Sequence, residues 1–241
     1  MERNGGSEDG EAAGTRKERI ELPASNSDYS KREYWNTRFA DEQEYDWLAG
    51  YKDIASILSE LTPKGKDSRI LLVGCGNSTL TKDMHDAGYR NLVSTDFSEV
   101  VIQAMQQRYG DLPGLRWEVM DMLNLQYPEG SFDMVLDKAA MDAITTAEGD
   151  MWDPDPAVID AVHRMCTGVS RVLVPGGTFV QISFVQPHFR LPYLTGKRVG
   201  ASVDYGWQCS KREIEGKVMP HFCYIMHKAE ARTAAPAGGG T

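Results

Sequence analysis

Residues 69–79 read Arg69-Ile70-Leu71-Leu72-Val73-Gly74-Cys75-Gly76-Asn77-Ser78-Thr79. A short apolar run, Arg69 to Val73, goes directly into small residues, and the next segment, Thr79 to Ala87, has the composition of a helix ending at Gly88. An apolar run without alternation is the pattern of a strand buried on both faces. Glycine allows a tight turn and lets a ligand approach where a Cβ would clash. A G-x-G pair is weak evidence alone and gains weight only at a strand-to-helix turn.

The alternation continues outward from this turn. Leu92 to Thr95 reads as a second strand, Glu99 to Tyr109 as a helix, Leu115 to Val119 as a third strand and Phe132 to Leu136 as a fourth. Ala157 to Val172 reads as a long helix with Val158, Val162, Met165, Val169 and Val172 on one side. Pro175-Gly176-Gly177 reads as a turn before a fifth strand, Thr178 to Phe184. Two further strand candidates, Tyr205 to Cys209 and Phe222 to His227, have no helix between them and suggest a hairpin. Strands alternating with helices predict a doubly wound, mostly parallel α/β sheet of Rossmann-like type, with helices on both faces and an antiparallel edge strand. Upstream, Lys31 to Phe39 predicts a short helix with Tyr34, Trp35 and Phe39 on an aromatic face. Ile54, Ile57, Leu58 and Leu61 form a helical stripe over Lys52 to Leu61.

Acidic residues sit at the ends of successive strands. Asp96 ends the second strand, 20 residues after Gly76, where a Rossmann-like site accepts hydrogen bonds from ribose hydroxyls. Ser98 is free to cap the following helix. Asp121 and Met122 follow the third strand, positioned to receive an exocyclic amine of adenine and to cover its ring. Asp137 and Lys138 end the fourth strand, where a reaction centre and a terminal ion pair are equally good readings. Ligands of open α/β sheets bind outside the carboxyl ends of the strands, so these positions are read as one site. A dinucleotide fingerprint would need a third small residue where Thr79 stands. The shorter Gly-Cys-Gly turn suits S-adenosylmethionine, which has no phosphate to cradle. No G-x-x-x-x-G-K-[ST] element supports ATP chemistry.

The whole chain, 241 residues with 41% hydrophobic content, suits one sizeable core. Residues 1–28 and 231–241 are poor in large apolar groups and are expected to be disordered tails around a single domain, 29–230. No apolar run approaches the roughly 20 residues that span a bilayer, and the polar, Glu-containing N-terminus carries no apolar signal core. The net charge of −9 disfavours nucleic acid and favours encounter with basic proteins. Cys75, Cys166, Cys209 and Cys223 form no C-x-x-C pair, so no metal site is expected and a reducing, cytoplasmic location fits.

Beyond this, Glu33-Tyr34-Trp35-Asn36-Thr37-Arg38-Phe39, Tyr45-Asp46-Trp47, Leu72-Val73-Gly74-Cys75-Gly76-Asn77-Ser78, Leu136-Asp137-Lys138 and Ser170-Arg171-Val172-Leu173-Val174-Pro175-Gly176-Gly177 resemble one subfamily of class I methyltransferases. It is the methyltransferase-like group that includes lysine methyltransferases of translation elongation factor 1-alpha. The resemblance spans roughly Tyr29 to Lys228. It implies a seven-stranded sheet, S-adenosylmethionine as cofactor and a protein substrate, with elongation factor 1-alpha the leading one. It implies that Trp35, Phe39 and Trp47 close over the methionine end, with further contacts from Gly74, Gly76, Asp96, Phe97, Asp121, Met122 and Lys138. A ring face attracts a sulfonium cation by about 0.5–2 kcal/mol. Two departures stand out. Phe39 replaces a more usual Tyr, and Ala139-Ala140-Met141-Asp142 replaces a more usual Gly-Thr-Leu-Asp. Asp142 keeps its acid, in position to orient an incoming amine, and Asp137 and Lys138 join it as positioning candidates. A small-molecule methyltransferase and a non-catalytic interaction protein on the same scaffold remain open alternatives, and oligomeric state is not legible.

Overall fold

Strand β1 (Arg69–Val73) lies at the centre of the fold, hydrogen-bonded in parallel to β2 (Asn91–Asp96) on one side and to β4 (Phe132–Lys138) on the other. It is buried from Ile70 to Val73, as its unbroken apolar run requires. The computed structural model describes residues 22–231. Its seven-stranded sheet has the order β3-β2-β1-β4-β5-β7-β6, with β3 at Leu115–Val119, β5 at Leu173–Ser183, β6 at Trp207–Ile214 and β7 at His221–Lys228. Strand order reverses between β1 and β4, which opens a crevice beyond their carboxyl ends. The final two strands form the expected hairpin. Its antiparallel member, β7, pairs with β5, and β6 closes that side of the sheet.

Helices cover both faces. Ile70 and Leu72 of β1 point into a core shared with α2 (Tyr51–Leu61), α3 (Leu80–Asp86) and α4 (Glu99–Tyr109). Leu71 and Val73 point the opposite way, against α6 (Pro156–Val172) and α7 (Pro187–Leu194). This is the period-two alternation of a strand buried twice. The valine stripe of α6 is wholly buried, and the helix is started by Asp155, which accepts from the Ala157 N–H at 2.8 Å, with Pro156 next to it. Helix α1 (Arg32–Asp41) carries the aromatic face expected near the N-terminus.

Several boundaries differ from expectation, each for a local reason. β5 begins at Leu173, because Pro175-Gly176-Gly177 is carried inside the strand as an irregularity: Gly176 has φ +75° and the pairing with β4 shifts between Phe132 and Met134. β6 runs on to Ile214, beyond Cys209. Two helices were not foreseen. α5 (Ala140–Thr145) is short, and α7 is masked in the sequence by Pro187 and Pro192, the first of which is tolerated at the helix start. A 3-10 turn, Asn26–Ser30, capped by Ser25, begins within the stretch expected as N-terminal tail, residues 1–28, and runs past its end. Residues 1–21 and 232–241 of the expected tails lie outside the described residues.

Candidate active site

The turn after β1 bends through left-handed backbone: Gly74 has φ +58° and Gly76 φ +52°. A side chain there would be strained, and a Cβ on Gly74 would sit 2.4 Å from the Cβ of Ala140. A Cβ on Gly76 would lie 3.4 Å from the ring of Phe39. The turn is therefore bare of side chains, with Ala140 against one glycine and Phe39 against the other.

Asp96 lies beside it at the end of β2. Its two carboxylate oxygens accept the N–H of Gly76 at 3.0 Å and of Ser98 at 2.9 Å. Ser98 caps α4 through its own hydroxyl, as expected, accepting from Val101. Burial pushes the Asp96 carboxyl up to about 6, against the pull of these bonds and of Arg32. The Arg32 guanidinium stands 5.4 Å from the centre of the Phe97 ring. Asp121, after β3, accepts the Leu123 N–H at 2.9 Å through one oxygen. The Met122 sulfur lies 3.9 Å from the position a Gly74 Cβ would take. A narrow cavity beneath the turn is lined by Gly74, Cys75, Ser78 and Lys138. The cavity itself is lined from β1, α3 and β4; Asp96 of β2 joins the turn through the Gly76 N–H, and Met122, after β3, borders it at Gly74.

The aromatic segments close over that place. Trp35 stacks on Phe39 at 5.3 Å between centroids and meets the edges of Tyr34 at 5.2 Å and Trp47 at 6.2 Å. Its indole N–H donates to the Tyr29 carbonyl at 2.6 Å. Arg38 stands 4.9 Å from the Trp47 ring centre and makes a two-point ion pair with Glu42 at 2.7 and 3.0 Å. Asn77 of the glycine turn donates to the Glu42 carbonyl and carboxylate at 3.0 and 3.1 Å. The lid is thereby fastened to the turn.

A second fastening was missed by sequence reading. Lys138, whose side chain is 7% exposed, donates to Asp46 and to the Trp47 carbonyl, each at 3.1 Å. Asp46 also accepts from the Ser78 hydroxyl and, at 3.0 Å, from Thr79. Burial works to raise the Asp46 carboxyl, but the Lys138 charge and the hydroxyls outweigh it and hold it below the ordinary value. Asp46 is the hub of the site, yet nothing in Tyr45-Asp46-Trp47 announced a partner 92 residues away.

The reading of Asp137 and Lys138 as a terminal ion pair is corrected, because the two neighbours on a strand point to opposite faces. Asp137 is fully buried and accepts from the N–H groups of Ala140 at 2.8 Å and Met141 at 3.2 Å, and from Gln181 at 3.0 Å. Burial, reinforced by the Asp142 charge, pushes it up to about 6. It pins the turn into α5, where Ala139 takes φ +70°, a conformation natural to the glycine usual there.

The expected hold of Asp142 on an incoming amine is also corrected. Asp142 is 5% exposed, and one of its oxygens is shared by the Ser183 hydroxyl at 2.7 Å and Arg190 at 2.6 Å. The Arg190 guanidinium is wholly buried and needs that counter-charge. Asp142 is therefore a positioning group between α5 and α7. His163, on α6, bonds the Tyr205 hydroxyl at 3.0 Å, and Cys166, one turn on, is buried. Among the described residues no helix is long and apolar enough to cross a membrane.

These residues fit a nucleoside cofactor with a positively charged thioether end. The turn leaves room at the backbone, buried Asp96 offers an acceptor to hydroxyls, and a cluster of rings faces the same point. A family model described as a methyltransferase domain matches residues 70–177. Mouse EEF1A lysine methyltransferase 4 is 39% identical over 215 residues, covering 88% of this chain and 80% of that protein. Mouse eEF1A lysine and N-terminal methyltransferase is 31% identical over 222 residues, covering 86% of this chain and 30% of that longer protein. The solved N-methyltransferase NodS from Bradyrhizobium japonicum, in complex with S-adenosyl-L-homocysteine, shares the fold at TM-score 0.58 and 16% identity, covering 86% of this chain and 100% of that one. The glycine turn on a seven-stranded sheet and the near full-length kinship meet in one conclusion: this chain belongs to the S-adenosylmethionine-dependent methyltransferase family that includes EEF1A lysine methyltransferase 4.

Proposed function

We propose that this enzyme transfers a methyl group to a lysine side chain of a translation elongation factor 1-alpha. The observation that carries the reading is the 39% identity, over 88% of this chain, with a relative named for that specificity. S-adenosylmethionine supplies a methyl carbon on a positively charged sulfur. The chain's own work is to bind, align and exclude water. Gly74 and Gly76 leave space for the cofactor backbone. When the cofactor is bound, Asp96 would accept from its ribose hydroxyls and Asp121 would receive its adenine amine, with Met122 and Phe97 as the groups to cover the ring. Trp35, Phe39 and Trp47 would hold the sulfonium end, and Lys138 holds that lid down through Asp46.

Only the neutral form of the lysine amine has a lone pair, so the acceptor must lose its proton before transfer. Asp137 and Asp142 are engaged in the core and are assigned no part in taking it. The test is to incubate the purified chain with methyl-labelled cofactor and purified elongation factor 1-alpha, then map the label. Label on a lysine of the factor supports the reading. Label confined to low-mass material from a cell extract would replace it with a small-molecule activity, and no label anywhere would leave a non-catalytic scaffold.

A further inference from the structure

Trp152 is 74% exposed, yet it is held firmly. The loop that carries it is closed by a bridge between Gly149 and Pro154 and by the Asp155 N–H, which donates to the Glu148 carbonyl at 2.9 Å. Arg198 donates to the carbonyls of Trp152 at 2.9 Å and Met151 at 2.6 Å. The indole packs edge-on to Phe189 at 4.9 Å, and His188 lies at 6.2 Å. A large ring fixed in place and left in water is the composition of a binding hot spot rather than of a core.

Its neighbours extend the surface. The loop lies between α5, which leaves the carboxyl end of β4, and the start of α6, so it stands on the crevice side of the sheet. Phe184, 49% exposed, follows directly on the carboxyl end of β5, next to Ser183, which bonds Asp142. Met151 and Val199 are exposed beside Arg198. The apolar rim thus sits over the β4–β5 half, opposite the half that carries Asp96 and Asp121. It is set among acids: Glu148, Asp150, Asp153 and Asp155 belong to the same loop. Lys197 is the exposed cation nearby in the chain, and the Arg198 guanidinium is engaged with carbonyls.

We propose that the Glu148–Asp155 loop, with Trp152 as its exposed anchor and the exposed Phe184 at the end of β5, docks a basic, lysine-bearing segment of the protein substrate and so guides the acceptor lysine to the crevice. The claim rests on the protein-lysine reading above. Apolar contact supplies affinity, and the acid ring selects positive charge and speeds encounter.

The test uses the full chain, loaded with S-adenosylhomocysteine for binding to purified elongation factor 1-alpha and with S-adenosylmethionine for turnover. Trp152→Ala is expected to weaken binding and raise KM for the factor at least 10-fold, with cofactor affinity and melting temperature unchanged. Asp153→Lys is expected to raise KM and to flatten its dependence on salt. Equal KM for wild type and both variants overturns the docking claim while transfer stands. Binding lost in Trp152→Ala, with no transfer by wild type, upholds docking and overturns the transfer reading. Absence of both binding and transfer overturns both. A Trp152-dependent dimer in sedimentation, unaffected by the factor, assigns the surface to a second copy of this chain and overturns the claim.

Discussion

The Asp96 carboxyl, proposed above to accept from the cofactor's ribose, is a burden to the folded protein while the cofactor is absent. Asp96 titrates at about 6 in the folded chain against an ordinary 3.8, because burial disfavours its charge more than its two backbone bonds favour it. Folding therefore prefers the protonated acid. That preference is fully present below pH 3.8 and is lost as pH rises through 6. The difference of about 2 units corresponds to about 3 kcal/mol. Asp96→Asn removes the titration. It also replaces one acceptor oxygen by a donor facing an N–H, an offset of about 1–2 kcal/mol that does not vary with pH. The stability of the variant relative to wild type should thus improve by about 2 kcal/mol between pH 4 and pH 8, which is about 4–8 °C in melting temperature for a chain of this size. Cofactor binding at micromolar concentration should be lost. Thermal melts of both cofactor-free proteins across that range, with calorimetric titration of the cofactor, measure the two effects. Wild-type and variant curves that run parallel in pH would refute the claim that a buried charge is being held in reserve, and unchanged affinity would refute the ribose assignment.

Three further outcomes follow from the geometry. Asp46→Ala leaves the largely buried Lys138 without its carboxylate and should cost about 2–3 kcal/mol in urea denaturation, with cofactor affinity falling at least 10-fold; intact affinity would show that the lid does not depend on the clasp. Gly74→Ala should lose about 1–2 kcal/mol to its φ of +58° and more to the overlap with Ala140, and Ala140→Gly on that background should restore only the overlap part; a double-mutant cycle without coupling would contradict the contact. Arg190→Leu should destabilise by about 3–5 kcal/mol by stranding the Asp142 charge, and Asp142→Asn combined with it should recover part of the loss; two costs that simply add would mean that the pair does not interact.

The legible parts of the molecule are those where one local pattern has one structural outcome. The run Ile70 to Val73 has no polar face to expose, so it had to be a central strand. Val158, Val162, Met165, Val169 and Val172 could share a side only in a helix. Gly74 and Gly76 mark a turn that tolerates no side chain, and the acids at the strand ends follow from the topology that such alternation forces. The aromatic lid was legible only through resemblance, because rings at Trp35, Phe39 and Trp47 suit packing as well as binding.

What stayed hidden was pairing at long range. Asp137 and Lys138 are adjacent in the chain, yet one is buried against the start of α5 and the other reaches Asp46, because consecutive strand residues face opposite ways. Asp142 looked free to meet substrate until Arg190, 48 residues on, was found beside it. The sequence by itself determined the sheet, its glycine turn and the ring of strand ends, since each depends on periodicity and on backbone conformation, which are local. Only the tertiary structure decided which acid faces the crevice, which holds an arginine in the core and which clasps the lid, because a charge takes its partner from whatever the fold brings within about 4 Å, and that distance carries no trace in the order of residues.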